Sequence, residues 1–180
     1  MLIDTARLRL RRFQPADIPA FAAYRSDPEV ARYQEWDFPL SLESAGRLLR
    51  RYARSDPAGP GWFQYAVELK ADGCLLGDVA VHRQPGGGEA EIGFSLARDR
   101  QGHGYASEAV RAVLRDLVGA GLRTVSAECD VRNQRSARLL KRIGFEFESQ
   151  RAVFIRGKRE WTDLQMFTLS AEKWEVLDKG

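Results

Sequence analysis

The sequence predicts a mixed α/β fold of the α+β class, built on a mostly antiparallel sheet. Hairpin signals join three strand-like runs between residues 62 and 97, which predicts an antiparallel meander. A strand, a helix and another strand then follow in succession between residues 90 and 131, and such a crossover requires one parallel pair of strands. A mixed sheet of this type usually contains a place where two neighbouring strands part, and we expect one here.

One strand and three helices are predicted before residue 55. The segment "ARLRLRRF" (Ala6–Phe13) alternates apolar and charged residues, as a half-buried strand does. Pro15 opens a helix with apolar residues at helical spacing, and "SDPEVARY" (Ser26–Tyr33) indicates a turn followed by a short helix. Ser41 is a suitable N-cap for a third helix, whose apolar stripe runs from Leu42 to Tyr52.

The three strands of the meander occupy the middle of the chain. The Pro- and Gly-rich segment "SDPAGPG" (Ser55–Gly61) separates the third helix from the first of these strands, "WFQYAVEL" (Trp62–Leu69). The pair Asp72-Gly73 is a hairpin signal that joins this strand to "CLLGDVAVHR" (Cys74–Arg83). A glycine-rich turn then leads to the third strand, "AEIGFSLA" (Ala90–Ala97).

The second half of the chain alternates helices and strands. A helix follows the two glycines of "RQGHGYASEA" and ends near Gly119. The remaining elements are expected at Thr124–Val131 (strand), Gln134–Arg142 (helix), Phe145–Ile155 and Glu160–Leu169 (strands), and from Ser170 onward (helix).

The composition indicates an ordinary globular protein, with 44% hydrophobic and 29% charged residues. The 180 residues suit one domain, which we expect to span residues 1–180. No run reaches the roughly 18 apolar residues that span a bilayer, and the N-terminus lacks an apolar signal core, so we expect a cytoplasmic protein. The formal net charge of +3 favours an anionic ligand but is too small to indicate nucleic-acid binding.

The cysteines and histidines are too few to indicate a disulfide scaffold or a metal site. Cys74 and Cys129 lie in strand-like segments, without partners at metal-ligand spacing, and we expect two small, buried, reduced residues. The only histidines are His82 and His103, which argues against a structural zinc site or a metallohydrolase. We therefore expect no metal.

The segment "RQGHGYASEA" (Arg100–Ala109) contains the clearest candidate binding feature. Gly102 and Gly104 open an amphipathic helix, where orphan backbone N–H groups and the positive end of the helix dipole favour a phosphate. The competing interpretation is a chain reversal that needs glycine only for its backbone conformation. Neither GxxxxGK[ST] nor a GxGxxG after a first parallel strand is present, which argues against P-loop and dinucleotide-binding folds. The spacing alone leaves both interpretations open.

Two motifs in order resemble the signatures of the GNAT superfamily of acyl-CoA-dependent N-acetyltransferases. "QGHGYA" (Gln101–Ala106) matches Q/R-x-x-G-x-G/A, and "NQRSARLLKRIGF" (Asn133–Phe145) matches N-x-x-S-x-x-L followed by Gly-Phe. The N-terminal segments and "EIGFSL" are similar to the RimJ/RimL-like subgroup of ribosomal-protein N-terminal acetyltransferases. The resemblance runs from Thr5 to Leu169 and implies the GNAT fold, a mixed sheet with a splayed central strand pair and helices on both faces.

The resemblance implies acetyl-CoA as the donor and places it residue by residue. It assigns the diphosphate to the backbone of Gln101, Gly102, His103, Gly104, Tyr105, Ala106 and Ser107, the pantetheine arm to Phe94, Ser95 and Leu96, and a contact with that arm to Asn133. The alternative for Asn133 is that it only caps the N-terminus of the following helix, and capping is compatible with a contact to the pantetheine arm.

Other side chains are weaker candidates for the two substrates. Five arginines cluster in sequence near the two motifs; most are expected to be solvated, and one or two to meet CoA phosphates. They are Arg98, Arg100, Arg132, Arg135 and Arg138. Four aromatic residues are candidates for an amine pocket, against the alternative of ordinary packing: Trp36, Phe38, Trp62 and Trp161.

The resemblance also suggests which residues act in catalysis. Glu128 lies on the polar face of its strand and is one candidate general base, although an exposed or ion-paired carboxylate is the competing interpretation. Glu91 is the second candidate. Ser136 matches the position proposed to protonate the leaving thiolate, with a small packing residue as the alternative. Leu140 stands where RimI-like relatives carry a tyrosine acid, so this sequence departs from those relatives at that position.

Two classes of function remain open from the sequence. The first is an acetyl-CoA-dependent N-acetyltransferase acting by direct attack of a primary amine, either a protein N-terminal α-amine or a small-molecule amine. The alternative is a GNAT-fold acyl-CoA sensor or interaction module without turnover. An RNA-binding role has no aromatic and basic platform to support it, and a homodimer is expected only by analogy with the subgroup.

Overall fold

A computed structural model describes residues 2–36, 38–155 and 158–179. Eight strands are present in these ranges: β1 (Ile3–Asp4), β2 (Leu8–Arg11), β3 (Gly61–Leu69), β4 (Leu75–Arg83), β5 (Glu89–Leu96), β6 (Thr124–Asp130), β7 (Glu146–Ile155) and β8 (Glu160–Ser170). The α-helices there are α1 (Ile18–Arg25), α2 (Pro28–Ala31), α3 (Leu42–Arg54), α4 (Tyr105–Gly119), α5 (Gln134–Ile143) and α6 (Ala171–Asp178). Within the same ranges, no helix combines the length and apolar character needed to traverse a bilayer.

The strands form one mixed sheet in the order β1-β2-β3-β4-β5-β6-β8-β7. Strands β2 to β5 pair antiparallel in chain order, while β5 and β6 pair in parallel because α4 connects them as a crossover. The prediction of a mostly antiparallel sheet with one parallel pair is therefore confirmed.

The parallel pair separates partway along its length. Pairing between β5 and β6 extends only from Glu89–Thr124 to Ile92–Ala127. Strand β5 nevertheless continues to Leu96 and β6 to Asp130. The facing edges beyond Ile92 and Ala127 are thus left without ladder partners, and this gap is the expected place where the strands part.

Helices cover both faces of the sheet. The main core lies on one face, where Val110 and Leu114 of α4 and Leu140 of α5 are fully buried against the sheet. A second cluster on the opposite face is formed by α1 and α3, with Phe21 of α1 completely buried. The fold class of the sequence analysis, helices on both faces included, is confirmed.

Three predicted helix caps are present as hydrogen bonds. The side-chain oxygen of Ser41 accepts from Ser44 N at 3.2 Å, and that of Ser170 accepts from Lys173 N at 3.3 Å. The Oδ1 atom of Asn133 accepts from Ser136 N at 3.2 Å. Short side chains at helix starts were therefore reliable signals of where these helices begin.

The first strand is shorter than the prediction of Ala6–Phe13, since β2 spans Leu8–Arg11, and the short β1 was missed. The alternation of this segment predicts that Arg11 lies with Arg7 and Arg9 on the polar side of the strand, which is wrong, because Arg11 is only 7% exposed. Two carboxylates, Asp17 and Glu68, hold its guanidinium in the interior.

The prediction of two buried cysteines holds for Cys129 and is wrong for Cys74, which is exposed. Strand β4 begins only at Leu75. The N–H of Cys74 donates to Oδ1 of Asp72 at 2.9 Å, so this residue belongs to the turn rather than to the strand. Likewise β6 ends at Asp130, one residue before the predicted end of that strand.

Candidate functional site

The glycine turn between β5 and α4 has left-handed backbone at both glycines. The φ angle is +82° at Gly102 and +80° at Gly104, in the region that side-chain-bearing residues rarely adopt. Gly104 is the N-cap of α4 and makes no side-chain cap hydrogen bond. The start of this helix is therefore not capped by its own N-cap residue.

The backbone N–H groups of the turn are free to bind a ligand. In the part of the chain that the structure describes, the N–H groups of Gly102 to Ser107 donate to no backbone or side-chain acceptor. The dipole of the 15-residue helix α4 adds positive potential at the same place. Free amides at the N-terminus of a long helix are suited to a phosphate or diphosphate group.

Gln101 supports the turn with its side chain. Its Nε2 donates to the carbonyl oxygen of Leu96 at 3.1 Å, and its Oε1 accepts from Arg135 Nη1 at 3.3 Å. Its own N–H donates to the carbonyl oxygen of Arg98 at 3.3 Å and is therefore already in use. The free amides begin one residue later than expected, at Gly102.

The gap between β5 and β6 ends beside this turn. The predicted pantetheine-binding residues Phe94, Ser95 and Leu96 all lie in the part of β5 beyond its last pair with β6. Asn133 follows β6 on the other side of the gap. Its Oδ1 caps α5, while its Nδ2 has no partner among the described residues and can donate to a ligand.

Ser136 lies half-buried in the first turn of α5. Burial raises the pKa of the nearby Cys129 thiol to about 11, and a hydrogen bond from the Ser136 side chain partly opposes this increase. Leu140, one turn further, is fully buried in the core. No acid is therefore available at position 140.

Glu91 is half-buried on the sheet face that carries α1 and α3. It lies directly opposite His82 of β4 and Ser126 of β6, one residue before the last pair of the parallel ladder. Burial raises its pKa, and the charge of Glu128 raises it further. A carboxylate in this state is a stronger base than an exposed one.

Glu128 is bound to an arginine. Nη2 of Arg151 donates to both of its carboxylate oxygens, at 2.8 and 2.9 Å, across the β6-β8-β7 part of the sheet. The Glu128 side chain is 18% exposed. Of the two interpretations of this residue, the ion-paired carboxylate describes its contacts, while Glu91 has no ion-pair partner among the described residues.

The predicted aromatic residues do not form one pocket. Trp62 is 48% exposed and packs against His82 with ring centroids 4.8 Å apart and ring planes tilted by 32°, in the same cross-strand row as Glu91. Trp36 packs over the Arg25 guanidinium and against the second cluster, while Trp161 is 70% exposed at the far hairpin. Trp62 is thus placed beside a candidate base.

Two of the five arginines form ion pairs, one contacts the glycine turn, and two have no ion pair within the described ranges. Arg132 pairs with Asp130 at 2.6 Å and with Glu160 at 3.2 Å. Arg100 pairs with Asp99, and Arg135 contacts Gln101 of the turn. Arg98 and Arg138 are exposed and have no ion pair within the described ranges. Arg135 is therefore the member with direct contact to the glycine turn.

Sequence reasoning missed two residues that lie against the turn, Arg7 and Glu108. They are 101 positions apart and form an ion pair with Nε to Oε2 at 2.7 Å. No local pattern could have joined them, because their contact depends on how β2 and α4 meet in the fold. Across residues 2–36, 38–155 and 158–179 there is no group of three or more His, Cys, Asp or Glu side chains arranged to hold a metal ion.

Comparisons with known proteins give a consistent result. Residues 7–146 match the family model described as an acetyltransferase (GNAT) domain. An uncharacterized N-acetyltransferase of Bacillus subtilis, YnaD, is 30% identical over 175 residues, which are 97% of this chain and 99% of the relative. Another uncharacterized N-acetyltransferase, p20 of Bacillus licheniformis, is 26% identical over 167 residues, 92% of this chain and 93% of the relative.

Solved structures share the fold over nearly the whole chain. A GNAT-family acetyltransferase from Bacillus anthracis superposes with a TM-score of 0.84 at 25% identity, covering 96% of this chain and 99% of the other. A spermidine N-acetyltransferase from Vibrio cholerae, solved with CoA and spermine, has a TM-score of 0.79 at 20% identity, covering 95% and 99%. The second of these similarities concerns the fold alone.

Proposed function

The chain belongs to the GNAT family of acetyltransferases, and from that premise we propose that it transfers the acetyl group of acetyl-CoA to a primary amine by direct attack. The family model covers 140 of the 180 residues, counted from 7 to 146. Relatives over almost the full length are named N-acetyltransferases. These findings do not favour the alternative of an acyl-CoA-binding module without turnover.

The observation that carries the proposal is the row of free amides at the start of α4. The N–H groups from Gly102 to Ser107 are unbonded in the described structure and lie beside the gap between β5 and β6. In the proposed complex these amides hold the diphosphate of acetyl-CoA, and the unpaired edge at Phe94–Leu96 binds its pantetheine arm. The free Nδ2 of Asn133 contacts that arm from the other side of the gap.

Glu91 is the proposed general base. It is half-buried, its pKa is raised, and its side chain lies next to the place where the strands part. Glu128 flanks the same place, but its carboxylate is bound by Arg151. In this proposal the negative charge of Glu128 helps to keep the pKa of Glu91 high. Ser136 is the proposed relay that passes a proton from solvent through its hydroxyl to the leaving sulfur, a small contribution because a thiol has an ordinary pKa near 8.5.

The acceptor is either a protein N-terminal α-amine, as in the RimJ/RimL-like subgroup, or a small-molecule amine. An α-amine with a pKa of about 7.7–8.0 is roughly one-tenth neutral at pH 7, so a single carboxylate base suffices for it. The exposed ring of Trp62 lies in the same row as Glu91 and forms one wall of the proposed acceptor site. A thiol-release screen over N-terminal peptides, amino acids, polyamines and aminoglycosides identifies the class.

Replacing Gly102 by alanine is expected to weaken acetyl-CoA binding by about 10-fold or more. Its φ of +82° strains any residue with a Cβ, and the added methyl group lies where the free amides meet the diphosphate. The Kd for acetyl-CoA measured by isothermal titration calorimetry checks the prediction.

A matched control exists at the other end of the same helix. Gly121 has a φ of +89°, and neither glycine has an atom within 4 Å of a built Cβ. Gly121→Ala should therefore suffer similar backbone strain and lower the melting temperature to a similar extent, but leave the Kd for acetyl-CoA within twofold of wild type. Absence of acetyl-CoA binding by the wild-type protein would refute the proposed function itself.

A further inference from the structure

The N-terminal segment Thr5–Arg7 is bound directly to the first turn of α4. The Glu108 carboxylate accepts from Thr5 Oγ1 at 2.6 Å, from Arg7 N at 2.9 Å and from Arg7 Nε at 2.7 Å. Its side chain is 19% exposed, against 47% for that of Arg7. Burial tends to raise the Glu108 pKa, but these hydrogen bonds outweigh burial and lower it.

These bonds direct Glu108 away from the amides of the glycine turn. An acidic side chain in the first turn of a helix ordinarily interacts with the free N–H groups there. Here both carboxylate oxygens are engaged by Thr5 and Arg7, so the amides of Gly102 to Ser107 remain available. Arg7 also neutralises a carboxylate that would otherwise repel an anion bound at the start of α4.

Arg7 contacts three consecutive residues of the turn itself. Its Nη1 donates to the carbonyl oxygen of His103 at 3.0 Å, and its guanidinium lies 4.6 Å from the centroid of the Tyr105 ring. The Tyr105 ring in turn stacks on that of His103 with centroids 5.7 Å apart. A Cβ built on Gly104 would lie 3.4 Å from Arg7 Nη2.

The bond to His103 determines the direction of a ligand-binding amide. The carbonyl of His103 and the N–H of Gly104 belong to one planar trans peptide and point in opposite directions. Fixing the carbonyl oxygen on Arg7 therefore fixes the Gly104 N–H on the opposite side. Without that bond, the left-handed glycines at 102 and 104 would allow this peptide to rotate at little cost.

We propose that Arg7 and Glu108 form a latch that holds the glycine turn in its diphosphate-binding conformation, making the N-terminal segment part of the acetyl-CoA site. The inference rests on the proposed function, since it concerns the same site. Arg7 acts as a positioning residue: it orients the Gly104 amide and cancels the charge of Glu108. It has no part in the transfer of the acetyl group.

The test compares two arginine–carboxylate pairs on α4. Arg7→Met removes the guanidinium but keeps an aliphatic stem, and we expect the calorimetric Kd for acetyl-CoA to increase about 10-fold or more. Arg115→Met removes the partner of Asp178, a pair with two bonds of 2.7 Å far from the turn. That variant should bind acetyl-CoA within twofold of wild type.

Three further measurements separate the latch from simple charge and from misfolding. Arg7→Lys keeps the charge but lacks the fork that reaches both Glu108 and His103, so it should still bind acetyl-CoA at least fivefold more weakly. With S-acetylpantetheine, which lacks the diphosphate, KM should be the same for wild type and Arg7→Met. At saturating acetyl-CoA, kcat should also remain within twofold.

The outcomes are distinguishable. If Arg7→Met or Arg7→Lys binds acetyl-CoA with the same Kd as wild type, the latch is refuted, but the proposed acetyl-CoA site is not. An equal loss with acetyl-CoA and S-acetylpantetheine also overturns it, because a general disturbance of the fold affects both donors. If wild type binds no acetyl-CoA, the proposed function fails first.

Discussion

Glu91→Gln is expected to lower kcat/KM for the amine by about 10²–10⁴-fold, the usual contribution of a positioned general base. Glutamine keeps the shape of the side chain but cannot accept a proton. The carboxylate that it replaces is half-buried, and burial together with the nearby Glu128 raises its pKa. Steady-state thiol release with saturating acetyl-CoA measures the loss.

The control variant is Glu128→Gln, which removes the neighbouring carboxylate. Because Glu128 is already paired with Arg151, its loss should change kcat/KM by less than about 10-fold. It should also shift the acid limb of the pH profile to lower pH, since the charge of Glu128 raises the Glu91 pKa and the released Arg151 would lower it. A large loss in Glu128→Gln with little loss in Glu91→Gln would exchange the two assignments.

The melting temperature of Glu91→Gln shows whether its low activity comes from a lost catalytic group or from a less stable fold. A carboxyl group whose pKa is raised by folding stabilises the folded protein when the pH is below the group's ordinary pKa of 4.5. This stabilisation is lost as the pH rises through the pKa that the group has in the folded protein. At pH 7 the charged form of Glu91 therefore lowers the free energy of unfolding. The glutamine variant should melt at the same or a higher temperature than wild type, even though its activity is low.

Arg11→Met is expected to reduce the free energy of unfolding by about 3–5 kcal/mol, because it leaves the buried carboxylate of Asp17 without an ion-pair partner and leaves Glu68 with Arg9 alone. Arg11 bonds Asp17 at 2.7 and 2.8 Å and Glu68 at 2.5 Å. The side chains of all three are at most 11% exposed. For a chain of this size the loss corresponds to a fall in Tm of roughly 6–20 °C, measurable by calorimetry or circular dichroism.

An exposed pair provides the comparison for Arg11. Arg47 pairs with Glu43 one turn away on α3, with side chains 56% and 83% exposed, so Arg47→Met should cost less than about 1 kcal/mol. Combining Arg11→Met with Asp17→Asn and Glu68→Gln should recover part of the loss, since no buried charge then remains unpaired. Equal melting temperatures for Arg11→Met and Arg47→Met would contradict this account of the buried cluster.

Local signals in the sequence predicted the elements of the fold well. The caps at Ser41, Asn133 and Ser170 depend on bonds to residues three positions ahead, and such signals are visible in a short segment. The parallel pair followed from the crossover through α4. The left-handed glycines at 102 and 104 likewise lie at the turn that the motif indicated.

The sequence indicated the free amides of the turn, which belong to the backbone of one segment, but it could not indicate the contacts that the side chains make with distant residues. Nothing near Arg11 in the chain indicates burial, because one of its partners, Glu68, is 57 positions away. The choice between Glu91 and Glu128 depends on Arg151, which reaches Glu128 from another strand. Side-chain partners brought together by the sheet have no periodicity that a sequence can display.

The unequal exposure of the two cysteines affects how acetyl transfer can be measured. A chromogenic disulfide that reports released CoA thiol will also react with the exposed Cys74, whereas Cys129 is buried. The side chain of Asp72 raises the pKa of Cys74, which lowers the thiolate fraction and slows this background reaction. Cys74→Ser would remove this background reaction without opening the turn, because Asp72 is bound there by the backbone N–H.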